Sequence, residues 1–298
     1  MTMMRALVTG GAGQLGRALV AHVGIAGPKL TLFDIAGGTN VVQGDVNDFD
    51  DVRAAVSGHD AVVHAAALHG IHLPNYTERE FLRINKEGTE KVLHACAEMG
   101  VGHVVLLSSM SVYGLSGSAQ FSSTVWVDEN TACKPNDAND RSKVLAEAAA
   151  EHAVRKYGIA VTVLRPGRFF VDDPIAFNIA KLSGAVDVDD VSQAVTCALA
   201  AGGHGYQVFC ISSGTRFGPA DLSILSTRAH EVIEERYPGA TAAVATFGGH
   251  LPSRVHRIVD ISRAQERLGF KPTRTFGDFV RNTVRSMSMG ESQLGGAK

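Results

Sequence analysis

Met4-Arg5-Ala6-Leu7-Val8-Thr9-Gly10-Gly11-Ala12-Gly13-Gln14-Leu15-Gly16 is the stretch that decides the fold. Residues 4–8 are apolar enough for a buried strand, and residues 14–23 carry an amphipathic helical pattern. Between them Gly10, Gly13 and Gly16 recur at every third position. A glycine at 10 lets the strand turn sharply where a side chain would clash. A glycine at 13 lets backbone N–H groups approach a pyrophosphate, and one at 16 lets the helix pack close to the strand. Gln14 and Leu15 open that helix, whose N-terminus carries unpaired N–H groups and a partial positive charge suited to an anion. The spacing G-x-x-G-x-x-G is a variant of the dinucleotide-binding fingerprint.

Working outward, short apolar strands alternate with longer helical patterns, as in parallel βαβ units. The second strand, 29–33, ends in Asp34, eighteen residues beyond Gly16. A carboxylate there accepts hydrogen bonds from both hydroxyls of an adenosine ribose and repels a 2′-phosphate, which predicts NAD rather than NADP. A short third strand, 40–43, closes in Gly44-Asp45-Val46, and a helix follows over about 48–57. The fourth strand starts at 61 and runs into Ala65, Ala66 and Ala67, small enough for a pyrophosphate or a ribose to lie against the backbone. A helix over 78–99 carries Asn85. The fifth strand, 103–107, ends in Ser108-Ser109-Met110-Ser111-Val112-Tyr113-Gly114. A long helix, 140–157, carries Lys143, and a sixth strand, 159–164, ends in Arg165-Pro166-Gly167. Gly10, Asp34, the three alanines, Ser108, Ser109 and Pro166 all fall at carboxyl ends of strands, where doubly wound sheets bind ligands. The expected fold is therefore α/β, a Rossmann-type doubly wound parallel sheet with a small C-terminal substrate lobe. The NAD-binding domain takes residues 1–166, rejoined by 186–212. The lobe takes 167–185 and 213–286, and 287–298 form a flexible tail.

Composition narrows the function. The chain has 298 residues, 45% of them hydrophobic and 19% charged, with a net charge of -2. That composition suits a globular protein with a full core and gives no reason to expect nucleic acid or an anionic membrane as partner. Cys96, Cys133, Cys197 and Cys210 are scattered, with no C-x-x-C pair. Free thiols in a reducing compartment are expected, and no metal site. With no signal-peptide pattern and no apolar run long enough for a bilayer, the expected location is cytoplasmic.

Taken in order, these motifs resemble the extended short-chain dehydrogenase/reductase family, the NAD-dependent epimerase/dehydratase group that works mostly on sugars. VTGGAGQLG at 8–16 is similar to the family's cofactor loop, and Asp45-Val46 to its adenine-contacting pair. HAAA at 64–67, INKEGT at 84–89, SSMSVYG at 108–114, Ser142-Lys143, LRPG at 164–167 and VDVDDV at 186–191 continue the resemblance, as do residues 259–262 and 268–272. The family implies a set in which a Ser orients the substrate oxygen, a Tyr transfers its proton, and a Lys lowers the Tyr pKa and holds the nicotinamide ribose. By motif position Ser109 takes the Ser role and Lys143 the Lys role. Family members commonly pair through the two long helices, so a homodimer is expected.

The chain departs from the pattern at one decisive place. The family's Tyr stands four residues before its Lys, and here that residue is Asn139. An amide does not ionise near neutral pH. Tyr113, His69, His72, Asp137 and Asp140 are the alternatives for proton transfer, and a non-catalytic NAD-binding relative with a sensing or scaffolding role is the competing reading. The segment 168–185 is too short for a nucleotide clamp, which points to a smaller substrate such as a free sugar, a sugar acid or a polyol. Short uronate dehydrogenases are similar in this respect. His69, Ser109, Ser111 and Arg168 are the candidate substrate contacts, Arg168 as a partner for a carboxylate or phosphate.

Overall fold

A computed structural model of the chain describes residues 3–24, 27–114 and 123–295, with side chains to 288. In chain order the elements are β1 (Arg5–Thr9), α1 (Gln14–Val23), β2 (Lys29–Asp34), β3 (Val41–Gln43), α2 (Phe49–Val56) and β4 (Ala61–His64). Then come α3 (Glu78–Phe81), α4 (Gly88–Met99), β5 (His103–Leu107), β6 (Val125–Val127), α5 (Ala138–Tyr157) and β7 (Ala160–Pro166). The rest are α6 (Pro174–Ala180), α7 (Val188–Ala201), β8 (Tyr206–Ile211), α8 (Leu222–Leu225), α9 (Ala229–Arg236), α10 (Ala240–Ala245), β9 (Arg257–Val259), α11 (Ser262–Leu268) and α12 (Phe276–Gly295).

Seven strands form one parallel sheet in the order β3-β2-β1-β4-β5-β7-β8. Both its faces are covered, which is why β1, β4 and β5 read as near-continuous apolar runs. On one face Leu15 and Leu19 of α1 pack with Val191, Ala194, Val195 and Ala198 of α7. On the other, Val52 and Val56 of α2 meet Val92, Leu93 and Cys96 of α4 and Ala150 and Ala153 of α5. The strand order reverses between β1 and β4, which opens the crevice at their carboxyl ends. Leu182, Phe217, Leu225, Ile233, Val244 and Phe276 build a separate lobe core. No helix among the described residues is long and apolar enough to cross a membrane.

Two expectations need correction, and one pair of strands was not expected. The helix expected over 78–99 is interrupted by π-turns over Leu82–Glu87. The widened turn carries the buried Asn85, and its cause is visible in the side chain's hydrogen bonds, described below. The tail expected to fray from 287 is helical to Gly295; residues 296–298 lie outside the described residues. The parallel pair β6-β9 carried no sequence signal, because three residues are too few to display a period of two.

Two glycines fix the first turn. Gly10 has φ +69°, and a Cβ there would stand 2.7 Å from the Ala66 nitrogen. A Cβ on Gly16 would overlap the Gly11 carbonyl, so α1 lies directly on the loop it closes. Gly16→Ala is expected to destabilise the protein by about 1–3 kcal/mol, read as a fall in Tm. An unchanged Tm would mean the loop has room to give.

Candidate cofactor and substrate site

The cradle begins at α1. Gly13 is its N-cap and no side chain caps it, so its first amides, at Gln14, Leu15 and Gly16, are left for an anion. Gly11 N donates to Phe33 O at 3.1 Å and ties the loop to β2. Asp34 does more than the sequence suggested. Its Oδ2 accepts from Ala12 N (3.0 Å) and its Oδ1 from Ala36 N (2.9 Å), so it shapes the glycine loop while each oxygen keeps a lone pair for a ribose hydroxyl. Asp45 Oδ1 accepts from the Asn47 backbone N (2.8 Å) and Nδ2 (3.1 Å), which makes residues 45–47 a fixed turn. Val46 is buried beneath Gly88. An uncapped helix start, a carboxylate at β2 with a spare lone pair on each oxygen, and small residues after β4 fit a dinucleotide.

Beneath the cradle runs a buried polar chain. Ala66 N donates to Thr9 Oγ1 (3.3 Å), which contacts His64 Nδ1 at 2.7 Å. His64 Nε2 lies 3.0 Å from Thr89 Oγ1, which donates to Asn85 O at 2.5 Å. Thr89 has spent its only proton, so His64 carries its own on Nε2. Burial, then the nearby Lys143 charge, pull the His64 pKa down to about 3 and keep it neutral. The Asn85 side chain, expected at the cofactor, is instead committed to protein. Its Oδ1 accepts from Leu68 N (2.7 Å), and its Nδ2 donates to Leu68 O (2.9 Å) and Ser142 Oγ (2.8 Å). It joins the loop after β4 to α5.

That loop and α5 supply the reactive end. Lys143 is 4% exposed, and its Nζ donates to Leu107 O at 2.9 Å. Burial draws its pKa down to about 8, against the opposing pull of Glu147 one turn away. Ser109, half-buried, caps the turn over Met110–Tyr113 by accepting from Ser111 N at 3.0 Å. Asn139 is 6% exposed. Its Nδ2 reaches Ser111 Oγ (3.2 Å) and Asp140 Oδ1 (3.3 Å), and its Oδ1 has no partner among the described residues. Asp137 caps α5 through Asp140 N (2.9 Å), whereas Asp140 is fully buried inside the first turn. His64, Ala66, Ala67, Asn85, Ser108 and Lys143 line one narrow cleft. His69 meets Phe170 at 5.8 Å, which brings the loop after β4 against the loop after β7. Burial and the Lys143 charge lower the His69 pKa too, so its imidazole is neutral.

Three side chains do other work than expected. Tyr113 is 2% exposed, with its hydroxyl accepting from Arg165 Nη1 (2.8 Å) and contacting Cys210 Sγ (3.1 Å). Burial pushes its pKa up, so it is a core tyrosine and no acid/base. Ser108 Oγ donates to Glu147, whose carboxylate also takes Arg165 Nε (3.0 Å) and Nη2 (2.6 Å). Ser108 is thus part of a buried ion-pair network, at the cleft but turned to protein. Arg168 is exposed, 58% at the side chain, and pairs with Asp172 at the surface rather than reaching into the cleft. Pro166 ends β7 in the buried sheet. Sequence reasoning missed Thr9, Thr89, Glu147 and Arg165. Glu147 alone had a signal, four residues beyond Lys143 on the same helical face. No cluster of three metal-ligating side chains occurs among the described residues.

Tyr113→Phe leaves Arg165 Nη1 short of a partner and is expected to destabilise by about 1–3 kcal/mol, with NAD affinity unchanged in calorimetry. Loss of turnover at unchanged stability would return Tyr113 to the catalytic set. His64 binds a proton more readily unfolded than folded, so stability falls as pH drops below the free value of about 6.5. Between about pH 7 and pH 5 this single group accounts for about 2 kcal/mol. His64→Gln should flatten the slope of urea stability against pH by that amount; an unchanged slope would mean that another group carries it.

Known proteins share the family and the fold. The model of the NAD dependent epimerase/dehydratase family matches residues 6–172. Among curated relatives, the 3 beta-hydroxysteroid dehydrogenase/Delta 5-->4-isomerase of Vaccinia virus is 35% identical over 119 residues, 36% of this chain. That match spans about a third, 34%, of the viral protein's length. The dTDP-glucose 4,6-dehydratase of Streptomyces niveus is 26% identical over 326 residues, covering 94% of this chain and 92% of that protein. In fold, uronate dehydrogenase from Agrobacterium tumefaciens superposes with a TM-score of 0.67 at 22% identity, over 96% of this chain and 90% of that one. With the family model spanning more than half of the residues, the chain belongs to the NAD-dependent epimerase/dehydratase family, with NAD as its cofactor.

Proposed function

We propose that this protein is an NAD-dependent oxidoreductase or epimerase of a sugar-like alcohol, with a sugar acid as the favoured class and a catalytic set modified at Asn139. The observation that carries the reading is the buried Lys143 in one cleft with His64, Ala66, Ala67 and Ser108, at the carboxyl ends of β4 and β5. The likeness of fold to uronate dehydrogenase supports the substrate class, as does the seven-residue α6 that is the only helix between β7 and the short turn before α7. When bound, the nicotinamide supplies a hydride acceptor or donor. The chain supplies the rest. The glycine loop and Asp34 hold the dinucleotide. Ser109 Oγ, already accepting from Ser111 N, has its proton to give to a substrate oxygen. His69, Ser111 and Phe170 border the substrate side.

Proton exchange falls to Lys143. Asn139 does not ionise and Tyr113 lies in the core, whereas burial brings the Lys143 ammonium to about 8, close to working pH. Its neutral amine accepts the proton of an alcohol, and its ammonium returns one to a carbonyl.

The test is NADH formation from NAD with D-glucuronate, D-galacturonate, free aldoses and dTDP-glucose, each offered to the purified protein. Turnover of a uronate, rising with pH through about 8 and falling by about 10²–10⁴-fold in Lys143→Met, is the expected result. Turnover of dTDP-glucose alone would replace the sugar acid with a nucleotide sugar. Tight NAD binding with no turnover would favour the second reading, a sensing or scaffolding NAD binder, for which Asn139 at the proton-transfer position is the supporting observation.

A further inference from the structure

β9 carries a cation that the lobe does not neutralise. Its residues alternate between two cores: Ile258 joins the lobe core, and Val259 joins the core on the α1 and α7 face of the sheet. Arg257 therefore leaves β9 on the same side as Val259, where the lobe meets the sheet. There its Nε donates to Ser183 O at 2.7 Å. The segment Ser183-Gly184 is closely packed. A Cβ on Gly184 would stand 2.6 Å from Val259 Cγ2 and 3.7 Å from Sδ of Met110, the residue after Ser109. A Cβ on Gly167, just beyond β7, would overlap the Gly184 carbonyl. The guanidinium is thus tied to a segment that lies against the loops after β5 and β7.

The second observation is its charge. A guanidinium keeps its proton, and drawing it out of water without a counter-ion is costly. Arg165, the buried arginine of β7, has the Glu147 carboxylate on its Nε and Nη2. Arg257 is half-buried and has no ion pair among the described residues, and Ser183 O is its one hydrogen-bond partner there. Burial lowers its pKa, with no neighbouring carboxylate acting against it. Residues 115–122, which precede β6 in the sequence, contain no Asp or Glu. Among the described residues, the side-chain atoms both sealed from water and unpartnered belong to Asn47, Asn139 and Arg236, so the Arg257 Nη groups are open to solvent. With Nε spent on Ser183 O, the edge formed by Nη1 and Nη2 remains. Two parallel N–H donors there match the two oxygens of a carboxylate.

We propose that Arg257 is the carboxylate-binding residue of the substrate site, its Nη pair holding the acid group of a sugar acid. The inference rests on the sugar-acid reading above and deepens it. Arg168, the arginine expected for this role, is spent at the surface on Asp172. Arg257 supplies the charge instead, from the lobe side, and its bond to Ser183 O fixes the plane in which the acid is met.

The experiment uses protein saturated with NADH, which leaves no acceptor for hydride. It is titrated calorimetrically with D-glucuronate, D-galacturonate, D-glucose 6-phosphate and D-glucose. Wild-type protein is expected to bind a uronate more tightly than the other two sugars. In Arg257→Met, apolar and similar in reach, that uronate is expected to bind about 10–100-fold more weakly, with D-glucose and NADH affinities unchanged. Arg257→Lys keeps the charge and a donor for Ser183 O but has no fork. It repeats the comparison should the methionine variant fail to fold, with a smaller loss. Arg168→Met leaves uronate affinity unchanged. Unchanged uronate affinity in the folded Met or Lys variant overturns the proposal. So does an equal loss for D-glucose, which would mark Arg257 as purely structural, and so does wild-type protein that binds glucose 6-phosphate or neither acid in place of a uronate. The two readings fail separately. Uronate binding that depends on Arg257, without NADH formation from NAD, removes the oxidoreductase and leaves Arg257 in its role. Uronate turnover with an unchanged KM in Arg257→Met removes Arg257 alone.

Discussion

A buried ammonium is the constraint around which this site is arranged. Lys143 is carried into the crevice by α5, where β5 offers the Leu107 carbonyl to one of its protons. An unpaired charge at that depth is costly, and a carboxylate one turn along the helix offsets part of the cost. That carboxylate, Glu147, is in turn shared with Arg165 of β7 and Ser108 of the loop after β5. The charge also sets the state of its neighbours. His64 and His69 both stay neutral because burial and Lys143 act in the same direction. A neutral His64 can then serve as a passive hydrogen-bonded strut between Thr9 and Thr89.

The second organising element is a single amide. Asn85 clamps both backbone groups of Leu68 and the hydroxyl of Ser142, so it sets the distance between the loop after β4 and the helix that carries Lys143. Ser142 passes the link on by donating to the Asn139 backbone O at 2.7 Å. The π-turns over Leu82–Glu87 accompany this clamp. An α-helical turn keeps i and i+4 in line, and the wider turn inserts a residue, which changes where Asn85 points. The cleft wall is thus held by hydrogen bonds inside the protein, and it exists before any ligand arrives.

Within this frame, position 139 places an amide that does not ionise in the first turn of α5. The helix start, its Asp137 cap and the lysine one turn on are all in place. The side chain that would ionise is replaced by one that only accepts and donates. What remains at that turn of α5 is a buried amide, with the buried lysine one turn on.

The fold was legible in the sequence because its determinants are local. Glycine spacing, apolar runs and carboxyl-end motifs are properties of a few adjacent residues, and β1, β2, β4, β5 and β7 form close to where they are expected, in one parallel sheet. Asp34, Lys143 and the absence of a tyrosine at 139 were equally plain. Other features depended on what each side chain meets across the fold. Tyr113 sits in a catalytic motif, but Arg165 and Cys210, far along the chain, turn its hydroxyl into the core. Arg168 follows a pocket motif yet pairs at the surface with Asp172. Asn85 faces protein and not cofactor because two segments converge on it. Sequence fixes which groups are available; burial and long-range partners decide which of them ionise, which are spent on structure, and which are left open for a ligand.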